Sequence, residues 1–228
     1  MPLESYDQLY QRACERKGGS ARVEAKLHKP LTNEQLATVG DDRFLAEFTK
    51  KVFQSGFVWR VVEQKWSHFE ALFFQFDPEK ILLMSDEMLE QRAQDPSIIR
   101  NLNKVMTIRG NAMMIQEVRH QHGSFARFIA NWPSSDIMGL WQYLKKCGVR
   151  LGGNTGPYSL RAIGKDTPLL TTDVCAYFKN QSIISGGVNS KRSMTALQQA
   201  FNQLQQQSGR SLSEISQIIA YSVNDNHQ

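Results

Sequence analysis

Cysteine is scarce in this chain. Cys14, Cys147 and Cys175 stand far apart with no Cys-x-x-Cys pair, a spacing that argues against a disulfide framework and fits a reducing compartment. No apolar run approaches the roughly 20 residues that a membrane span needs, and the opening "MPLESYDQLY" lacks the signal-peptide pattern. The expectation is a cytoplasmic protein with no membrane partner. Period-2 alternation is also missing. The best strand candidate, "TPLLTTDV", is short, so a sheet-based core is not expected. No fixed-period repeat occurs, and the one biased stretch, "QLQQQSG", reads as a solvated helix face.

What is present is a globular composition: 41% of the 228 residues are hydrophobic, enough for one large domain or two small lobes. The net charge of +5 is compatible with a polyanionic partner without identifying one. Helix signals recur along the chain. Thr32 and Gln35 form a capping-box pattern, and Asp41 or Asp42 is placed to cap a helix in which Phe44, Phe48, Val52, Gly56 and Trp59 recur at helical spacing. Pro78 and Pro96 suit first-turn positions, with Asp77, Ser85 and Asp95 as caps. Gly123, Gly148 and Gly209 suit helix stops. The chain therefore reads as all-α, with roughly eight to ten helices.

One segment breaks the helical pattern. "GVRLGGNTGPYSLRAIG" carries Gly152, Gly153 and Gly156 beside Asn154, Thr155 and Pro157, as in backbone shaped for positive φ or close approach. It is not a Walker loop, because Pro157 and Tyr158 follow Gly156, and no βαβ unit surrounds it as a dinucleotide fingerprint requires. It lies between "DIMGLWQYLKKCG" and "PYSLRAIG", so it has a helix–hairpin–helix layout. In such an element the amides at the second helix's start face a nucleic-acid phosphate without reading sequence. Lys145, Lys146 and Arg150 would add positive charge there, and Arg161 is a further candidate. An ordinary interhelical turn accounts for the glycines equally well.

Three stretches in order, "VFQSGFVWRVVEQKWSHFEALFFQFDPEKI", "DPSIIRNLNKVMTIRGNA" and "LKKCGVRLGGNTGPYSLRAIG", resemble the 3-methyladenine DNA glycosylase I family of base-excision repair enzymes. The matching positions are Gln54, Gly56 and Trp59; Phe73, Phe76 and Asp77; Ile98, Ile99 and Arg100 with Lys104, Asn111 and Ala112; and Gly153, Thr155, Tyr158 and Ser159. The resemblance spans residues about 43 to 178. It implies a two-lobed, all-α helix–hairpin–helix glycosylase fold: an N-terminal arm (1–42), a helical core (43–178) containing the hairpin (148–158), and C-terminal helices (179–228). It also implies a monomer acting on double-stranded DNA, which flips a 3-methyladenine-like alkylated purine out of the stack and hydrolyses its N-glycosidic bond. Trp59, Gln54 and Tyr158 would bind the base, and Gly153, Asn154, Thr155, Gly156, Lys145, Lys146 and Arg150 would hold the DNA. Trp59 alternatively belongs to a core stripe with Phe44, Phe48 and Val52.

The chain departs from the family's pattern where members carry a glutamate three residues before the motif's Gln. Lys51 stands there, beside Lys50. A lysine accepts no hydrogen bond from a base, and its charge opposes a cationic methyladenine. Glu47, one turn earlier, either replaces that carboxylate, pairs with Lys51, or shares a solvated face with Lys50 and Lys51. Asp173, after the hairpin's second helix, is the candidate for stabilising the developing oxocarbenium ion. It reads equally as an N-cap of "VCAYFKN", and Thr171 competes for the same position. Catalytic candidates are thus Asp173, Glu47 and Lys51. Tyr158 stands where lyase members of the superfamily have a lysine, which excludes a Schiff-base step through that position.

Arg100, Asn101 and Lys104 either line the site or cap helices. The family's zinc ligands have no counterpart, since Cys14, Cys175, His28 and His227 lack ligand spacing; no metal or other cofactor is expected, and the two ends of the chain are expected to supply the packing instead. Two alternatives stay open: a differently specific or non-catalytic helix–hairpin–helix DNA-binding protein, and a helical protein-interaction module.

Overall fold

A computed structural model of the chain describes residues 3–223, and among these there are helices and turns but no strand. The chain is all-α. In order, the helices are α1 (Tyr6–Lys17), α2 (Ser20–Glu24), α3 (Asn33–Ala37), α4 (Asp41–Gln54) and α5 (Trp59–Gln64), then α6 (Trp66–Leu72), α7 (Pro78–Leu82) and α8 (Asp86–Ala93). The long α9 (Leu102–His122) precedes α10 (Phe125–Asn131), α11 (Ile137–Cys147), α12 (Thr155–Ile163), α13 (Thr172–Asn180), α14 (Lys191–Ser208) and α15 (Leu212–Ser222). The fifteen helices exceed the expected eight to ten because several are single turns that one hydrophobic period cannot separate.

Caps explain most boundaries. Thr32 and Gln35 form a reciprocal capping box on α3, Asp77 caps α7 with Pro78 in its first turn, and Ser85 caps α8. Gly123 and Gly209 close α9 and α14 at positive φ. Three local expectations are corrected. Asp41 lies in the first turn of α4 and instead accepts the N–H groups of Phe125 and Ala126, capping α10 from outside. Asp95 and Pro96 form a turn, Asp95 accepting from Ser97 N–H at 2.8 Å, rather than opening a helix. "TPLLTTDV" forms no strand, because Thr171 accepts the Val174 N–H and starts α13.

The chain divides into two compact units. The first contains residues 3–31, 133–139 and 166–223. Residues 3–31 therefore belong with the C-terminal helices, whereas residues 32–42 belong with the core. In this unit α1 packs along α15, with Leu9, Ala13, Ile215 and Ile218 buried. Arg210 binds Glu24 and Glu214 and lies over the rings of Tyr6 and Tyr10. Lys29 pairs with Glu214, and Arg12 with Glu4.

The second unit contains residues 32–132 and 140–165. Helix α4 lies at its centre, packed on α9 and α12. Phe44 and Phe48 both meet Phe125 edge-on. Trp66 stacks on Phe69 and Phe76, each 5.3 Å between ring centroids, and Phe53 closes on Phe69 at 4.6 Å. Phe74, Gln75 and Phe76 all take left-handed φ, an unfavourable conformation for residues with a Cβ. Arg43 holds this turn by donating to Gln75 O while pairing with Glu70.

Candidate functional site

Helix α4 does not run on to Trp59. It ends at Gln54, and Gly56 turns the chain at φ +69. Lys104 fixes this ending. Its side chain enters from α9 and donates to the carbonyls of Phe53 (3.1 Å) and Ser55 (2.8 Å), two acceptors the helix terminus leaves without partners. Asn101, at the start of α9, caps Lys104 N–H, so both residues hold helix ends. Burial, with the nearby Arg150 charge, lowers the Lys104 pKa below the usual lysine range. The loop that follows carries Phe57 and Val58 exposed, and Trp59 opens α5 with 52% of its surface accessible. Trp59 is therefore not part of the Phe44–Phe48–Val52 core stripe, because the break rotates it off that face.

A cavity of about 270 Å³ lies between the end of α4, the start of α5 and the start of α12. Lys51, Gln54, Trp59 and Tyr158 line it with Asn154 and Thr155. Tyr158 meets Trp59 edge-on, 6.1 Å between centroids. Lys51 and Glu47 are half-buried at 13% and 17% exposure and form an ion pair at 3.2 Å, so they are not a solvated face. The Lys51 ammonium also donates to Gln54 Oε1 at 2.9 Å and lies 5.2 Å from the Trp59 ring centroid. Gln54 Nε2 donates to Glu63 at 2.9 Å, and Glu63 pairs with Lys50, whose ammonium covers Trp66. A cation on one side and a carboxylate on the other leave the Gln54 amide a single orientation.

The glycine loop joins α11 to α12. Arg150 and Gly153 take positive φ. Gly156 is required for packing: a Cβ there would sit 2.6 Å from Leu151 O. The amides of Thr155 and Gly156 close the loop onto the carbonyls of Gly152 and Leu151, so they point inward. No acceptor among the described residues takes the amides of Gly153 and Asn154. Asn111 anchors the loop from α9, accepting Val149 N–H at 2.8 Å and donating to Val149 O at 3.2 Å. Gly110 beside it leaves room for the Val149 side chain. Lys145, Lys146 and Arg150 are exposed, but Arg161 is buried and faces away from solvent.

The model of the family described as methyladenine glycosylase matches residues 36–163, just over half of the chain. The chain belongs to this family. A curated relative, DNA-3-methyladenine glycosylase 1 of Escherichia coli (strain K12), is 36% identical over 76 residues, which are 33% of this chain and 41% of the relative. The match thus spans about two fifths of that relative's length. A solved 3-methyladenine DNA glycosylase I from Staphylococcus aureus aligns with a TM-score of 0.50 at 21% identity, over 60% of this chain and 80% of its own. An 8-oxoguanine glycosylase/lyase of Methanocaldococcus jannaschii, solved with a 15mer DNA containing 8-oxoguanine, aligns at 0.55 and 11% identity. That alignment covers 94% of this chain and 96% of the other, so the likeness of fold extends beyond the family-matched segment.

Within the methyladenine glycosylase family's matched segment fall Glu47, Lys51, Gln54, Trp59 and the entire hairpin. Asp173 falls outside it, in the other compact unit, at the second position of α13 and half-buried; Thr171 is that helix's cap. Sequence reasoning missed Glu63, whose only signal was a carboxylate one turn after Trp59. It also left Lys104 and Asn111 without a definite task.

A larger depression of about 740 Å³ has Asp41, Asp42, Glu70 and Asp77 among its lining groups. Its carboxylates are engaged in capping α10 and α7 and in holding Arg43, so it reads as structural. Among the described residues no three His, Cys, Asp or Glu side chains gather as a metal site, and no helix is long and apolar enough to cross a membrane. His227 lies outside the described residues.

Proposed function

We propose that this chain is a DNA glycosylase of base-excision repair, acting as a cytoplasmic monomer on double-stranded DNA. The observation that carries the reading is the cavity itself: an exposed indole, a lysine and an oriented amide beside the start of the hairpin's second helix. The C1′–N bond of a stacked nucleotide is inaccessible, so the base must be extruded before it is cut. Trp59 offers a flat apolar face on which the extruded base stacks, with Tyr158 bounding the space and the Gln54 amide holding Lys51 at its edge.

The backbone contact falls to the amides of Gly153 and Asn154, with Lys145, Lys146 and Arg150 supplying positive charge. Thr155 and Gly156 shape the loop rather than donate to phosphate. The exposed Phe57 and Val58 supply an apolar wedge for the gap that extrusion leaves.

Incubation with methylated or otherwise damaged duplex DNA is expected to release free base. Trp59→Ala should slow release roughly ten- to hundredfold, equivalent to about 1–3 kcal/mol of lost stacking, without unfolding the protein. Intact base across a lesion panel, from a folded protein that still binds duplex, would reject the activity. The second reading, favoured by Lys51 in place of the family's glutamate, is a DNA-binding protein without excision. Its mark is salt-dependent duplex binding with no abasic product.

A further inference from the structure

The charge in the cavity does not suit every damaged base. Lys51 lines the cavity whereas its partner Glu47 does not, so the positive end of the pair is the end presented to a ligand. The ammonium donates a hydrogen bond to Gln54 and lies within ion-pair distance of Glu47, and no further acceptor among the described residues takes its remaining protons. The ammonium lies 5.2 Å from the Trp59 ring centroid, so a cationic base stacked on this indole would come close to the protein's own cation. Gln54 Oε1 is occupied by Lys51 as well. The remaining polar groups of the lining, on Ser55, Asn154, Thr155 and Tyr158, carry no charge. A positively charged base would enter facing a like charge with no carboxylate on the cavity wall to offset it.

An uncharged base has the opposite need. A cationic N-alkylated purine leaves C1′ as a neutral molecule. An uncharged base takes the electron pair of the glycosidic bond with it and leaves as an anion, so a cation fixed in the pocket stabilises the transition state more than the ground state. The cavity volume of about 270 Å³ is near the lower end for ligand pockets, which suits one nucleobase.

We propose that this cavity takes an uncharged damaged base with a ring carbonyl directed at Lys51, and that Lys51 stabilises the negative charge on that base as it leaves. The C1′–N bond breaks heterolytically and its electron pair passes to the base. Water adds to C1′ and loses one proton to solvent. The departing base takes up one proton, giving neutral free base and an abasic sugar. The inference rests on the glycosylase reading of the same cavity.

The test is single-turnover excision from sequence-matched duplexes carrying hypoxanthine, 8-oxoguanine or the cationic 7-methylguanine. Wild-type protein is expected to release at least one of the two uncharged bases about tenfold or more faster than 7-methylguanine. Lys51→Met keeps the side-chain stem while removing the charge. It should slow uncharged-base release by about a hundredfold, leave 7-methylguanine release undiminished, and hold duplex affinity within about threefold. The exchange E47K/K51E preserves the ion pair for folding and places the carboxylate on the cavity wall, and it should reverse the preference.

A wild-type preference for 7-methylguanine, or equal slowing of all three substrates by Lys51→Met, overturns the inference and leaves the glycosylase reading standing. Release from none of the three by a folded, duplex-binding protein overturns the inference, and intact base across the wider lesion panel, 3-methyladenine included, overturns the glycosylase reading as well.

Discussion

In the unit of residues 3–31, 133–139 and 166–223, Arg210 is shared between two glutamates and two tyrosine rings; in the unit of residues 32–132 and 140–165, stacked phenylalanines with Trp66 hold the centre. The methyladenine glycosylase match covers nearly all of the second unit but only residues 133–139 of the first. The contrast extends to how charge is used. Arg210, Lys29 and Arg12 in the first unit are all satisfied by carboxylates. In the second unit Lys51, paired with Glu47, also lines a cavity, while Lys145, Lys146 and Arg150 are exposed. In the second unit charge also serves cohesion, through Arg43 and Lys104, but further cations line the cavity and stand exposed around the glycine loop.

The largest test of this contrast is Leu9→Ala. Leu9 is fully buried on the helix that packs along α15, so its truncation should cost about 2–5 kcal/mol in urea unfolding. Acrylamide quenching of Trp59 in the native protein should stay unchanged. A changed Trp59 environment would show that the two units are not energetically separable.

Lys104→Met comes next, at about 1.5–3 kcal/mol, because the carbonyls of Phe53 and Ser55 lose a charged donor. Here Trp59 quenching should change as well, since the end of α4 positions the turn before it. Stability loss with an unaltered Trp59 signal would remove Lys104 from the support of the cavity.

Acid should weaken the first unit selectively and least strongly. The Arg210 and Tyr10 hydrogen bonds hold the Glu24 carboxyl below the usual carboxylate range. In Glu4 and Glu214 burial acts upward but is outweighed, by the hydrogen bonds and charge of Arg12 for Glu4 and by hydrogen bonds from Lys29 and Ser211 for Glu214. A depressed carboxyl pKa stabilises the fold above the unfolded value of about 4.5, and this stabilisation is lost as pH falls through the lower folded values. Glu24→Gln should remove part of that dependence, by no more than about 1 kcal/mol because the pair is partly exposed. Amide exchange in α1 and α15 between pH 6 and about pH 3 is the measurement, and equal acid sensitivity in α4 and α9 would contradict the contrast.

Much of the second unit was legible because its signals are local. The Thr32–Gln35 capping box, Asp77 before Pro78 and the closing glycines each act within one turn. The glycine loop was readable for the same reason. Its inward-facing amides were not, because only folded coordinates reveal that Gly156 must pass within van der Waals contact of Leu151 O. Trp59 continued the spacing of Phe44, Phe48 and Val52 and so was compatible with a core position. The break that exposes it depends on Gly56 at positive φ and on a lysine 45 positions further along the chain. Asp41 was misread as a cap of its own helix because its true partners, Phe125 and Ala126, are remote in sequence.

By itself the sequence determined the helical class, most caps and the hairpin, since propensity, capping and composition are properties of neighbouring residues. Tertiary structure decided that Lys51 lies against Trp59 with its charge on a cavity, that Glu63 orients Gln54, and that the two ends of the chain share one compact unit. The first two depend on how the chain turns between α4 and α5, and the third on segments far apart in sequence; burial and charge compensation set these pairings, not a helical period.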